Sequence, residues 1–271
     1  MQTHYQVLII GGGSAGIMVA SQLIKQKNRK NIAIIEPADT HYYQPAWTLV
    51  GAGTYDYAKT ARPMASIMPK EATWIQDKAT GFDPANNAVK TATNGNITYD
   101  YLVVAPGLAY DMSLVPGLGD ALDKGVVCSN YTNPKHTWKV IQNFKGGTAL
   151  FTQPTTPIKC GGAPQKIMYL AEGHWAKNPA VRSKTDVVFA TAGTIIFGVK
   201  PIAKTLMEVV NRKDINLRFG YQLKKVDGPN RIAWYAFADH EKEHNHKNVK
   251  TEKDGELTGI HYDMLHTAPP S

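Results

Sequence analysis

Apolar residues in this chain gather in short runs set apart by turn residues. "YQVLII" (5–10) and "NIAIIEP" (31–37) hold β-rich, nearly continuous apolar runs, the pattern of strands buried on both faces. Between them "GGGSAG" marks a turn, and "IMVASQLIKQ" spaces its apolar residues at helical intervals. Strand, glycine turn, helix and strand within about thirty residues make a βαβ unit.

Beyond this unit the pattern loosens and then returns. Residues 41–70 are rich in Tyr, Gly, Pro and Met, with a helix expected near 58–68. "TWIQDKAT", "NAVKTAT" and "ITYDYLVVAPG" then read as short strands, and Asn94-Gly95 as a hairpin turn. A stretch punctuated by proline and glycine at 106–119 reads as a boundary, dividing the chain into 1–112 and 113–271. After it, "HTWKVIQNF", "APQKIMYLAEGHWAK" and "KPIAKTLMEVVNRK" are helical, whereas "GTALFTQ", "TDVVFAT" and "NLRFGYQL" are strands. That alternation predicts a second open parallel sheet, followed by a hairpin and a last strand. The expected fold is α/β, with two Rossmann-like dinucleotide-binding domains.

Composition narrows the function classes. The chain has 271 residues, 43% of them hydrophobic and 19% charged, values of a globular protein. No apolar run reaches the length of about eighteen residues that a membrane-spanning helix needs. A strand begins almost at the first residue, so no cleavable signal peptide is expected and a cytoplasmic location is. The net charge of +8 favours anionic substrates or an anionic membrane surface. The densest basic run, residues 25–31, falls at a helix end, where cations suit the dipole, and no recognition motif points to nucleic acid. Two cysteines are too few for a disulfide framework and leave each thiol free for chemistry. His240, His244 and His246 share a charged stretch with no further ligands near, and no metal site is expected.

The glycine turn carries the first candidate site. Gly11, Gly13 and Gly16 have G-x-G-x-x-G spacing: a tight turn, close backbone approach to a pyrophosphate, and close helix–strand packing. Ser14 and Ala15 open the following helix, whose free N–H groups face the phosphate charge. Glu36 ends the next strand twenty residues after Gly16, placed to accept from ribose hydroxyls. "TYDYLVVAPG" runs a strand into Ala105, Pro106 and Gly107, a turn that resembles the one closing the FAD domain of flavoproteins with two dinucleotide domains.

The second domain has no such glycine loop. "QPTTPIKCGGAP" stands where one is expected, and its prolines, lacking N–H groups, cradle phosphate poorly. A reduced nicotinamide is therefore not expected as electron donor. Cys160 takes the place instead, in a loop entering a helix, where the dipole and Lys159 and Lys166 are expected to favour the thiolate.

Together "GGGSAG", "YDYLVVAPG", "TPIKCGGAPQKIMYL", "IFGVKPIAKTL" and "CSNYT…TWK" resemble the sulfide:quinone oxidoreductases, from residue 5 to the final "HTAPPS". The resemblance implies FAD, with Cys160 as the first of two redox cysteines that take sulfur from sulfide and pass its electrons through the flavin to a quinone. It further implies a sulfur-acceptor thiol and peripheral attachment to the inner face of the cell membrane. Pro45, in the segment after Glu36, is implied as a cofactor neighbour. Cys128 is either a small structural hydrophobe or a thiol near the flavin that tethers it. The family's second redox cysteine and a Gly-Asp flavin motif lie in a continuation beyond "HTAPPS". The resemblance is thus to a C-terminally shortened member, whose first domain is expected to expose sheet edge and apolar surface and to need a partner or a homo-oligomer. An FAD-binding remnant and another pyridine-nucleotide-type flavoenzyme are the alternatives.

Overall fold

A computed structural model describes residues 3–26, 31–154, 156–237 and 249–271. The three histidines at 240, 244 and 246 and most of the basic run at 25–31 lie outside those residues. The chain forms two compact units, one of residues 1–43 and 58–108, the other of 44–57 and 109–271.

The first unit begins with β1 (His4–Ile10), α1 (Ser14–Lys25) and β2 (Ile32–Ile35), as the apolar pattern requires. Val7, Ile9, Ile32 and Ile34 pack against Ala20 and its neighbours on α1. The alternate residues Leu8, Ile10, Ala33 and Ile35 fill the opposite face with Val89, Ile97 and Tyr99. Both faces are covered, which is why these strands lack polar alternation. A two-stranded ribbon of β3 (Thr40–Tyr42) and β4 (Ala61–Pro63) follows. The helix expected near 58–68 is not formed; 3₁₀ turns at Tyr57–Thr60 and Met64–Ser66 flank β4 instead. Arg62-Pro63 lies within that expected helix, and a proline disfavours helical backbone at the residue before it.

Strands β5 (Thr73–Ile75), β6 (Ala79–Asp83), β7 (Ala88–Thr91) and β8 (Asn96–Val104) complete a six-stranded sheet in the order β5-β2-β1-β8-β7-β6. The β7–β8 hairpin turns at Gly95, with φ +71°. Its ladder reaches only Thr98 on β8, and further along that strand Tyr101 and Val104 are exposed, as is Leu108 beyond it.

The second unit has three layers. Its central sheet is parallel throughout, in the order β12-β11-β10-β17-β9, from β9 (Val127–Cys128), β10 (Gly147–Gln153), β11 (Thr185–Thr191), β12 (Ile215–Phe219) and β17 (Met264–Thr267). Helices α4 (Pro134–Asn143), α5 (Ala163–Trp175) and α7 (Lys200–Arg212) bury Phe151, Phe189, Trp175 and Val210 on one face. On the other lies an antiparallel sheet of β13 (Tyr221–Asp227), β14 (Ile232–Phe237), β16 (Leu257–His261) and β15 (Thr251–Asp254), packed over Leu150, Val188 and Leu265. Short helices α2 (Trp47–Gly51), α3 (Leu118–Ala121) and α6 (Pro179–Arg182) belong to this unit too. "NLRFGYQL" divides into β12 and β13 at Gly220, whose φ of +76° turns the chain from one sheet to the other.

The last strand enters the middle of the sheet and carries a buried histidine. His266 has no exposed surface; its Nε2 meets Asn130 Oδ1 at 2.7 Å, and Asn130 Nδ2 donates to Thr48 Oγ1 at 3.0 Å. Burial keeps this imidazole neutral, its pKa pushed down to about 3. Unfolding restores an ordinary value of about 6.5, so between the two the unfolded chain binds the extra proton. Stability should therefore fall as pH drops below about 6.5, by up to about 1.4 kcal/mol per unit from this group. Urea midpoints at pH 7 and pH 5 should show that slope, and His266→Gln should reduce it.

Candidate functional site

In the first unit the two sequence signals for a dinucleotide are one piece of structure. Ala105 N donates to Ile10 O at 2.8 Å, setting the turn after β8 against the glycine turn after β1. Gly11 has φ +101°, and a Cβ there would lie 2.2 Å from Ala105 O. A Cβ at Gly16 would lie 1.9 Å from Gly11 O, so helix and turn meet there without space for a side chain. Gly13 is the opposite case, with nothing within 4 Å of the position its Cβ would take. The three glycines thus serve turn, open approach and close packing.

Gly13 caps α1 without any side-chain hydrogen bond, so Ser14, Ala15 and Gly16 open the helix with no side chain occupying its N-terminus. Glu36 directly follows β2 and holds the loop. Its Oε2 accepts from Gly12 N at 2.7 Å and its Oε1 from Ala38 N at 2.8 Å. A carboxylate has about four acceptor sites, so both oxygens keep capacity for a ribose hydroxyl. Pro106 and Gly107 are exposed beside this loop, Gly107 at φ +83°. Open amides, an empty position above Gly13 and a fixed carboxylate fit a dinucleotide's pyrophosphate and ribose.

In the second unit Cys160 is exposed, in the loop between β10 and α5. Its carbonyl accepts from Ala163 N at 3.1 Å and from Tyr131 Oη at 2.8 Å. Burial above all, then the nearby Cys160 and Tyr110, pushes the Tyr131 phenol up, so that hydroxyl keeps its proton and remains a donor. Sequence reasoning did not single out Tyr131; only its place in "CSNYT" pointed to it.

Of the two lysines flanking the thiol in sequence, Lys166 is the one that reaches it, with Nζ 3.6 Å from Sγ. Lys159 instead donates to Gln44 Oε1 at 2.7 Å and lies over the Tyr110 ring, and burial pushes its ammonium pKa down. Lys166→Met should lower the reactivity of Cys160 towards iodoacetate roughly fivefold more than towards neutral iodoacetamide, because a nearby exposed charge steers anions by about 1 kcal/mol. Equal slowing of both reagents would remove Lys166 from that role.

The remaining candidates divide. Pro45 is exposed in the 3₁₀ turn Gln44–Ala46, a segment of the second unit. Gly51 and Gly53 fit it there, since a Cβ on Gly51 would lie 3.2 Å from Asn130 Cβ and one on Gly53 2.4 Å from the Trp138 ring. Cys128 is a correction to the tether reading. Its side chain has no exposed surface within the helix-side core, and burial pushes its thiol well up, so neither access nor thiolate is available. No group of three or more potential metal ligands occurs among the described residues.

A glycine turn, an open helix N-terminus and a carboxylate fixed at the loop make the first unit a dinucleotide-binding unit, and the second unit carries an exposed cysteine beside its parallel sheet. The chain belongs to the pyridine nucleotide-disulphide oxidoreductase family, whose pattern matches residues 5–144, just over half of it. FAD is the cofactor of this family, and the glycine loop fits it. The chain is 38% identical over 271 residues to the mitochondrial sulfide:quinone oxidoreductase of Mus musculus, covering 99% of this chain and 57% of that protein. A mitochondrial sulfide:quinone oxidoreductase of Dictyostelium discoideum is also 38% identical, over 98% of this chain and 56% of its own length. The solved sulfide:quinone oxidoreductase of Aquifex aeolicus shares the fold at a TM-score of 0.78 and 21% identity, over 99% of this chain and 58% of that one. The chain thus spans little more than half the length of these relatives. Among the described residues no helix is long and apolar enough to cross a membrane.

Proposed function

We propose that this chain supplies the FAD-binding and sulfide-oxidising part of a sulfide:quinone oxidoreductase. One observation carries the reading: an exposed cysteine beside an ammonium, Cys160 Sγ at 3.6 Å from Lys166 Nζ, in the place of the second nucleotide loop.

In this reading Cys160 and a second thiol form an oxidised sulfur pair. Lys166 draws HS⁻ to it, and HS⁻ attacks the Cys160 sulfur. The S–S bond breaks, a persulfide forms on the attacked sulfur, and the other sulfur leaves as thiolate with the electron pair. Once the outer persulfide sulfur has left to a small thiol, FAD, when bound, would supply a two-electron path from the resulting pair of thiolates to a quinone, which takes up two protons as the S–S bond re-forms. Cys128 is too deeply buried to be the partner, so the second sulfur comes from a thiol outside these 271 residues. Tyr131 fixes the loop by donating to the Cys160 carbonyl. A quinone dissolved in a bilayer puts the reaction at a membrane surface, consistent with the basic net charge.

With the partner thiol supplied, anaerobic addition of sulfide should bleach the flavin absorbance of the FAD-loaded protein, and NADH should leave it unchanged. Bleaching by NADH alone would instead mark a nicotinamide-dependent flavoenzyme.

A further inference from the structure

Strand β12 turns Ile215, Leu217 and Phe219 into the helix-side core, which sends Asn216 and Arg218 to the opposite face. There, between the two sheets of the second unit, Arg218 is only 4% exposed. Thr152 of β10 and Arg218 flank Ala190 of β11 in one row across the sheet. Tyr235 of β14, fully buried, enters from the antiparallel sheet, and its ring lies 5.6 Å from that of Tyr221. The Arg218 guanidinium stands 5.6 Å from the same Tyr221 ring. Burial pushes the Tyr235 phenol up to a value that the nearby Thr152 hydroxyl and Arg218 charge only partly offset, which places all three groups together.

Each of these groups has a hydrogen to donate. Arg218 Nε donates to Asn216 Oδ1 at 3.3 Å, and among the described residues no carboxylate pairs with the guanidinium. Asn216 Nδ2 is buried with no partner, and the buried Tyr235 and Thr152 hydroxyls have none beyond each other. A buried guanidinium without a counter-charge is costly, and removing unsatisfied donors from water adds to that cost. Water can fill hydrogen-bonding positions but leaves the charge unbalanced.

We propose that Arg218, Asn216, Tyr235 and Thr152 form a binding site for a small inorganic anion, a halide or a tetrahedral oxyanion, inside the second unit. The anion accepts from each of the four side chains and neutralises the arginine. Nothing in the sulfide chemistry requires this site, and it stands or falls independently of it.

Thermal unfolding of the full chain at fixed ionic strength tests it, with bulky gluconate replaced stepwise by chloride or by phosphate. The midpoint should rise with at least one of the two, linearly in the logarithm of its concentration above the dissociation constant, as mass action requires for an anion held only by the folded state. Which of them raises it separates a halide site from an oxyanion site. Arg218→Met should abolish the rise. Tyr235→Phe and Thr152→Val each delete one donor, and should move the onset of the rise to several-fold higher anion concentration. Those two keep the test open if Arg218→Met does not fold. A midpoint that rises with neither anion, or a response unchanged in both hydroxyl variants, overturns the proposal.

Discussion

Cys160→Ser should leave a yellow protein that sulfide no longer bleaches. The substitution replaces one sulfur in an exposed loop of the second unit and alters none of the glycine-turn residues of the first, so FAD content should stay at the wild-type level. The rate of bleaching should fall by about a thousandfold or more, the scale seen when the reacting atom itself is deleted. A serine hydroxyl neither exchanges with disulfides nor carries a persulfide. Stopped-flow absorbance with sulfide in excess measures both quantities in one sample. Bleaching at an undiminished rate would mean that another group receives the sulfide.

The glycines give the second large effect, and it separates folding from binding. Gly11→Ala puts a methyl group 2.2 Å from Ala105 O at a φ of +101°, and a clash with backbone at such a conformation costs at least about 1–3 kcal/mol. That variant should lose stability and flavin together. Gly13→Ala adds its methyl to open space, so the apo-protein should unfold at the same urea midpoint as the wild type. Yet that space is where a pyrophosphate would approach, and FAD affinity should fall by about tenfold or more. Unfolding curves with and without FAD check both arms. A Gly13→Ala protein that binds FAD normally would place the phosphates elsewhere.

The first unit was legible because its signals are local. Gly11, Gly13, Gly16 and Glu36 lie within 26 residues, and the fold brings all four to one loop. The parallel sheet of the second unit was legible from its alternation of strands and helices. What stayed hidden depends on contacts between residues distant in sequence. Nothing in "HTWKVIQNF" or "HYYQPAWTL" shows that α2 packs on α4, and nothing near His266 shows that the last strand becomes an inner one. Cys128 looks like any free thiol until its β9 register beside His266 puts it in the sheet. Lys159 and Lys166 are equivalent as charges in the sequence, and only the helical turn from Gly162 to Lys166 brings one of them back to Cys160. The paired orphan donors around Arg218 likewise need three strands and a second sheet to meet.

The central claim is that sulfur from sulfide is taken up at Cys160. Its most direct test is the mass of the peptide containing Cys160, after oxidised, FAD-loaded protein has been exposed to stoichiometric sulfide without oxygen and blocked by rapid alkylation. The account predicts a Cys160 peptide one sulfur atom heavier than the same alkylated peptide from reduced protein, with the Cys128 peptide unchanged. A flavin that bleaches while the Cys160 peptide gains no sulfur would contradict it.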